Sequence, residues 1–202
     1  GGDAPVSVQS MCSTDTRDVT ATVAEIHRLE AAGCEIIRVA VPDEEAAAVL
    51  PQIKAEMTVP LIADIHFDYR LALRAAAVVD CVRINPGNIG TWWKVEEVIK
   101  AVNDHGIPIR VGVNGGSLER PLLEKYGWPS PEALSESALN AVHALEDVGF
   151  TNMKVSLKAS DVKHAIDAYW LFAMQSDYPL HIGITEAGTA MTGAVKSSIG
   201  LG

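Results

Sequence analysis

The chain is predicted to be an α/β protein of the (β/α)8 barrel type, with about seven strand–helix units in view and no eighth strand, forming a single domain over residues 1–202. Three observations predict this. Short apolar runs of strand length alternate with segments of helical period along the whole chain. Such alternation implies a parallel sheet covered on both faces. Polar side chains also recur at the C-terminal ends of the strand candidates. Arg83 and Asn85, two apart and so on one side of a strand, are followed at once by Pro86, Gly87 and Gly90. The same construction recurs at Asp64 and His66, at Arg110 and Asn114 around Gly112, at Lys154, Ser156 and Lys158, and at His181 and Thr185. These side chains converge only if the strands surround a common axis; in an open doubly wound sheet, the other surviving architecture, they would be strung along an edge. A complete barrel typically takes roughly 250 residues, so a 202-residue chain reads as a barrel cut short.

Taken in order, residues 6–11 form the first strand, and Ser13, Thr14, Asp15 and Thr16 offer N-caps for a helix with Val19, Val23, Ile26 and Leu29 on one face and Gly33 as its stop. The second strand, 35–41, ends at Pro42. Asp43 caps a helix that buries Ala46, Val49, Leu50, Ile53 and Met57, and Pro51 inside it predicts a kink or two short pieces. Strand three covers 61–67, Asp68 caps an alanine-rich helix over 69–79, and strand four is 82–85. Val95, Val98, Ile99 and Val102 mark the next helix, and strand five, 108–113, is broken by Gly115 and Gly116. A longer connection through Tyr126-Gly127-Trp128-Pro129 leads to Ser130-Pro131, an N-cap with proline at the first helical position. Leu134, Ala138, Ala141, Val142, Leu145 and Val148 are the buried face of that helix. Strand six is 152–157, Ser160 caps a helix through Ile166, Tyr169 and Phe172, strand seven is 179–184, 188–193 is a loop, and a last helix starts near Ala194.

Composition narrows the function. Sixteen basic against 26 acidic residues give a formal charge of -10, which argues against nonspecific nucleic-acid binding and against attraction to an anionic membrane. Cys12, Cys34 and Cys81 are odd in number and far apart, which fits a reducing, cytoplasmic compartment. No apolar run reaches the ~20 residues of a membrane helix, and the opening GGDAPVSVQS lacks the order of a signal peptide.

An arginine on the helix-covered side of a barrel strand would be a buried charge, costing several kcal/mol. Arg38, Arg83 and Arg110 therefore read as inward, near the mouth. With Lys154 and Lys158 they place up to five cations around one cavity whose counter-charges are Asp64 and Glu186. An excess of guanidinium suits phosphate or diphosphate, whose oxygens accept paired hydrogen bonds, and glycine-rich loops after strands four and five add backbone donors. No GxGxxG or Walker loop is present, so a nucleotide is not indicated. Asp64, His66 and His181 have no metal-ligand spacing, and no metal site is read here. One interior arginine paired with an aspartate is an ordinary structural ion pair; five polar-bearing strands together tip the balance towards a binding site.

The blocks Val8-Gln9-Ser10-Met11, Ala63-Asp64-Ile65-His66-Phe67-Asp68-Tyr69-Arg70, Arg83-Ile84-Asn85-Pro86-Gly87-Asn88-Ile89-Gly90, Arg110-Val111-Gly112-Val113-Asn114, Lys158-Ala159-Ser160-Asp161 and Gly183-Ile184-Thr185-Glu186-Ala187-Gly188 strongly resemble the 4-hydroxy-3-methylbut-2-enyl diphosphate synthase family, iron-sulfur enzymes of non-mevalonate isoprenoid biosynthesis. The likeness covers essentially the whole chain, in matching order. It implies a TIM barrel that binds 2-C-methyl-D-erythritol 2,4-cyclodiphosphate, with Arg38, Arg83, Arg110 and Lys158 on the diphosphate and Asp64, His66, Asn85, Asn114 and Glu186 lining the cavity. Glu186 would be the proton donor to the departing hydroxyl. The resemblance further implies a [4Fe-4S] cluster in a separate domain, with Cys12, Cys34 and Cys81 outside its ligand set. It also implies reduced flavodoxin or ferredoxin as electron donor, a homodimer, and no reductive turnover by this chain alone. Two other functions fit the residues: a dihydropteroate-synthase-like diphosphate-binding barrel enzyme, and a non-catalytic anion-binding module.

Overall fold

In the computed structural model, which describes residues 4–202, strand and helix alternate as the periodicity requires. Among the described residues six strands are laid down, β1 (Gln9–Met11), β2 (Ile36–Ala40), β3 (Leu61–Asp64), β4 (Cys81–Ile84), β5 (Ile109–Asn114) and β6 (Met153–Lys158), of which β1 to β4 neighbour one another in chain order. The residues divide into two compact units, one running through Ile109 and the other Arg110–Gly202.

In the first unit β1 to β4 pair in parallel, with Met11 opposite Arg38, Arg38 opposite Ile62, and Asp64 opposite Arg83. Side chains of register partners point to one side, as do residues two apart. Register alone thus puts Met11, Arg38, Asp64 and Arg83 on the same face. Ile37 and Val39 of β2 turn the other way and are fully buried. The covering helices are α1 (Val19–Ala31), α2 (Glu44–Ala55), α3 (Tyr69–Ala76), the single turn α4 (Pro86–Ile89) and α5 (Trp92–Asp104). Asp43 and Asp68 accept the expected capping bonds, from Ala46 N–H and Arg70 N–H. At α1 the cap is Asp18 rather than a residue of 13–16. Glu25 instead reaches back and accepts from the Ser13 and Thr14 amides, tying that loop to the helix. Pro51 does not divide α2, which runs as one piece; the ring is exposed, and the helix continues with one backbone donor fewer.

The second unit departs further from the sequence reading. The longer connection after β5, to which the sequence reading assigns no element, holds a helix, α6 (Arg120–Tyr126). Seven residues are too few to display a period, but its ends are marked by Pro121 in the first turn and Gly127, with φ of 77°, just past the last. α7 (Pro131–Asp147) starts at its Ser130 cap as predicted; α8 (Val162–Ala173) is capped by Asp161, not Ser160. α9 (Ala190–Leu201) begins earlier than predicted because Thr189 accepts from Thr192 N–H, so Gly193 lies inside a helix. α8 packs against α7, β6 and α9.

Strand seven, predicted over 179–184, is reduced to one isolated parallel bridge between Val155 and Leu180. Val155 N–H donates to Pro179 O at 2.9 Å and His181 N–H to Val155 O at 2.8 Å. In that register the next rung would run from Leu157 N–H to His181 O. A side chain occupies it instead. The hydroxyl of Tyr169, projecting from α8, accepts from Leu157 N–H at 3.2 Å and donates to His181 O at 2.6 Å. Each backbone group is satisfied, but the ladder is held open by one oxygen atom and is not a strand by its hydrogen bonds. Burial, the largest influence on this phenol, pushes its pKa upward, so the hydroxyl stays protonated and able to donate.

Tyr169→Phe should therefore lower stability by about 1–3 kcal/mol, the cost of leaving buried backbone groups without their partner. Denaturant midpoints measure the loss, and hydrogen exchange should quicken at Leu157 more than at β5 amides.

Candidate active site

In the first unit the site is built around the last residue of β3. Arg83 Nη1 donates to Asp64 Oδ1 at 3.0 Å; Arg38 Nε lies 3.5 Å and His66 Nε2 3.6 Å from Asp64 Oδ2. Asp64 and Arg83 are 3% and 4% exposed, whereas His66, two residues past the strand, is exposed. Two guanidiniums thus contact the Asp64 carboxylate. Burial alone would raise the Asp64 pKa. The hydrogen bond from His66 and the charges of Arg83 and Arg38 outweigh it and hold the carboxyl well below the usual range. Arg38 Nε and Nη2 also lie 3.1 and 2.8 Å from the sulfur of Met11. A thioether is a weak acceptor, so this arginine faces a partner that an anion would readily displace. Asn85 closes β4 and is 3% exposed; its Oδ1 accepts from Gly87 N–H and caps α4, which leaves its amide nitrogen as the group suited to a ligand.

In the second unit Arg110 is 1% exposed, with Nε and Nη2 each 3.3 Å from Ser156 Oγ. Lys158, the last residue of β6, lies over Gly183: a Cβ there would come within 3.3 Å of Lys158 Nζ and 4.0 Å of His181 Nε2. The absent side chain at 183 is what gives the lysine its place. Asn114 ends β5 and is half-buried. Glu186 is exposed and has φ of 50°, and among the described residues it alone is in the left-handed region without being glycine. Backbone of that kind is uncommon outside glycine and is held by surrounding structure. One expectation fails. Lys154 shares a face with Lys158 but lies at the opposite end of β6, four residues and so about 13 Å away along a strand.

The cysteines do not fit an iron-sulfur cluster. Cys12, Cys34 and Cys81 are each buried; burial pushes the Cys12 thiol up to about 12, and Cys34 Sγ points at Ile36 O, 3.1 Å away. A cluster needs thiolates gathered at one place, and among the described residues no group of three or more His, Cys, Asp or Glu is placed to hold a metal. No described helix is long and apolar enough to cross a membrane. Sequence reasoning missed Met11 and Tyr169 as contributors, because a thioether and a helix-borne phenol carry no signal until strand register and helix docking place them.

Residues 1–202 match the family described as the GcpE TIM-barrel domain. Over its whole length the chain is 59% identical to the 4-hydroxy-3-methylbut-2-en-1-yl diphosphate synthase (flavodoxin) of Geobacter sulfurreducens and covers 58% of that protein. It is 61% identical to the enzyme of that name from Maridesulfovibrio salexigens, covering 57% of it. The chain thus spans just over half the length of these relatives. Among solved structures it is similar to a phospho-2-dehydro-3-deoxyheptonate aldolase from Thermotoga maritima, with a TM-score of 0.60 and 12% identity over 89% of this chain and 52% of that one. A dihydropteroate synthase from Yersinia pestis gives a TM-score of 0.58 and 13% identity over 94% of this chain and 73% of that one. At such identities the structural likeness reports the fold alone.

Removing the shared carboxylate with Asp64→Asn should cost about 3–5 kcal/mol, the usual penalty for stripping one partner from a buried ion pair. Because the folded-state pKa of Asp64 is depressed, its stabilisation is fully present above about pH 4, the unfolded aspartate value, and is lost as pH falls further towards the folded one. The stability gap between wild type and Asp64→Asn, followed by denaturation at several pH values, should accordingly narrow below that pH.

Proposed function

Because the chain belongs to the GcpE TIM-barrel domain family, we propose that it is the substrate-binding part of a 4-hydroxy-3-methylbut-2-enyl diphosphate synthase. The reaction opens and dehydrates 2-C-methyl-D-erythritol 2,4-cyclodiphosphate, taking in two electrons and one proton, releasing water and leaving the new terminal phosphate oxygen anionic. The observation that carries the reading is the gathering of two guanidiniums, Arg38 and Arg83, at the carboxylate of Asp64. The similarity to dihydropteroate synthases, confined to fold, does not favour that alternative.

In this reading Arg38, Arg83, Arg110 and Lys158 bind the diphosphate, and Asp64, His66, Asn85 and Asn114 line the cavity. Opening the ring turns a bridging ester oxygen into an anionic terminal one, so negative charge on the diphosphate grows as the reaction proceeds. Fixed guanidiniums stabilise that developing charge more than they stabilise the substrate. Asp64 keeps its neighbouring arginines aimed without neutralising both. Glu186 donates a proton to the departing hydroxyl, and since it is exposed here, the enclosure a general acid needs would come with the bound substrate. A [4Fe-4S] cluster, with ligands other than Cys12, Cys34 and Cys81, would supply the two electrons drawn from reduced flavodoxin or ferredoxin, and this chain alone would perform no reduction. The complete enzyme is cytoplasmic and a homodimer.

Titrating the protein calorimetrically with the cyclodiphosphate and, separately, with a pterin diphosphate tests the substrate class. Heat with the first ligand is expected; heat with the pterin alone overturns the proposal. In the complete enzyme, Glu186→Gln should lower turnover by about 10²-fold or more, in line with the loss of a general acid. Unchanged turnover would remove Glu186 from its assigned role.

A further inference from the structure

Met11 ends β1 directly opposite Arg38, and its side chain is turned to the face that carries the cationic cluster. Its sulfur lies 2.8 Å from Arg38 Nη2 and 3.1 Å from Nε, closer than the Asp64 oxygen 3.5 Å from that Nε. The residue is 36% exposed, so a small solute can reach it, unlike the buried Met153. From this geometry we infer that Met11 is an oxidation site that controls anion binding: as a thioether it leaves the Arg38 guanidinium available, and as a sulfoxide it occupies it. The inference rests on the reading of Arg38 as a phosphate ligand.

The chemistry is balanced with a hydroperoxide as oxidant. The sulfur lone pair attacks one peroxide oxygen, a sulfur–oxygen bond forms and the O–O bond breaks. Sulfur loses two electrons, the peroxide gains them, and water or an alcohol leaves. The new oxygen carries high negative charge density and is a far better acceptor than the thioether. It forms within reach of both Arg38 nitrogens. An incoming phosphate would then have to displace a strong acceptor rather than a weak one, and affinity falls although no charge has been removed. Methionine sulfoxide reductases reverse the change.

The test uses the full-length protein and inorganic pyrophosphate as probe. Protein is treated with hydrogen peroxide until peptide mass analysis shows Met11 converted, and pyrophosphate affinity is then measured by calorimetry. Wild type should lose roughly tenfold, the worth of one hydrogen bond to a charged group, and regain it after reductase treatment. Met11→Leu should keep its own untreated affinity under the same oxidation, although Met174 and Met191, which are more exposed, are oxidised in it as well. Met11→Gln, with an amide oxygen near where the sulfoxide oxygen would be, should bind weakly without oxidant. An unchanged affinity in wild type oxidised at Met11, or an equal loss in Met11→Leu, overturns the inference while leaving the phosphate reading intact. Failure of untreated wild type to bind pyrophosphate overturns both.

Discussion

One carboxylate governs the cationic cluster of the first unit. Arg83 is buried and Arg38 nearly so, and neither could stay charged there at tolerable cost without a partner. Asp64 serves both. Without that carboxylate the two guanidiniums would repel each other across a buried face. The shared contact holds both arginines in place, and it depends on a register that sets Asp64 directly beside Arg83. The thioether of Met11 completes the arrangement by touching Arg38 without satisfying it.

The second unit achieves placement mainly through backbone devices. Gly183 leaves space that Lys158 fills, the Tyr169 hydroxyl stands in for a ladder rung, and Glu186 is held in left-handed backbone next to Gly188, itself at φ of 100°. A fully formed seventh strand would draw His181 O onto Leu157 N–H directly. The interposed oxygen instead keeps the segment bearing His181 and Glu186 off the regular sheet, while satisfying both backbone groups. Each device gives up some regularity, and each sits beside a residue assigned to substrate. Departure from local rules at functional positions is the pattern expected when tertiary structure must hold unusual geometry.

Much of this was legible in the residues. Arg83 and Asn85 two apart before Pro86, and Asp64 and His66 two apart before the Asp68 cap, are strand-end signatures, and the structure places Asp64, His66, Arg38 and Arg83 together. The failures have physical causes. α6 is too short for periodicity to reveal, Pro51 is tolerated on an exposed helix face, and Asp161 outcompetes Ser160 for one cap. Lys154 was grouped with Lys158 because parity fixes which face of a strand a residue takes but says nothing of height along it.

The sequence by itself determined the alternation of strand and helix from β1 to β6, the face each polar residue takes, and, through its long matching blocks, the family. Those properties follow from local periodicity and residue type, which need no partner to be expressed. Only the tertiary structure decided that Asp64 answers two arginines, that a thioether lies against Arg38, and that a helix-borne tyrosine replaces a rung beside β6. Such facts depend on register and on helix docking, interactions between residues from 12 to 27 positions apart in the chain, and no local pattern encodes a distance.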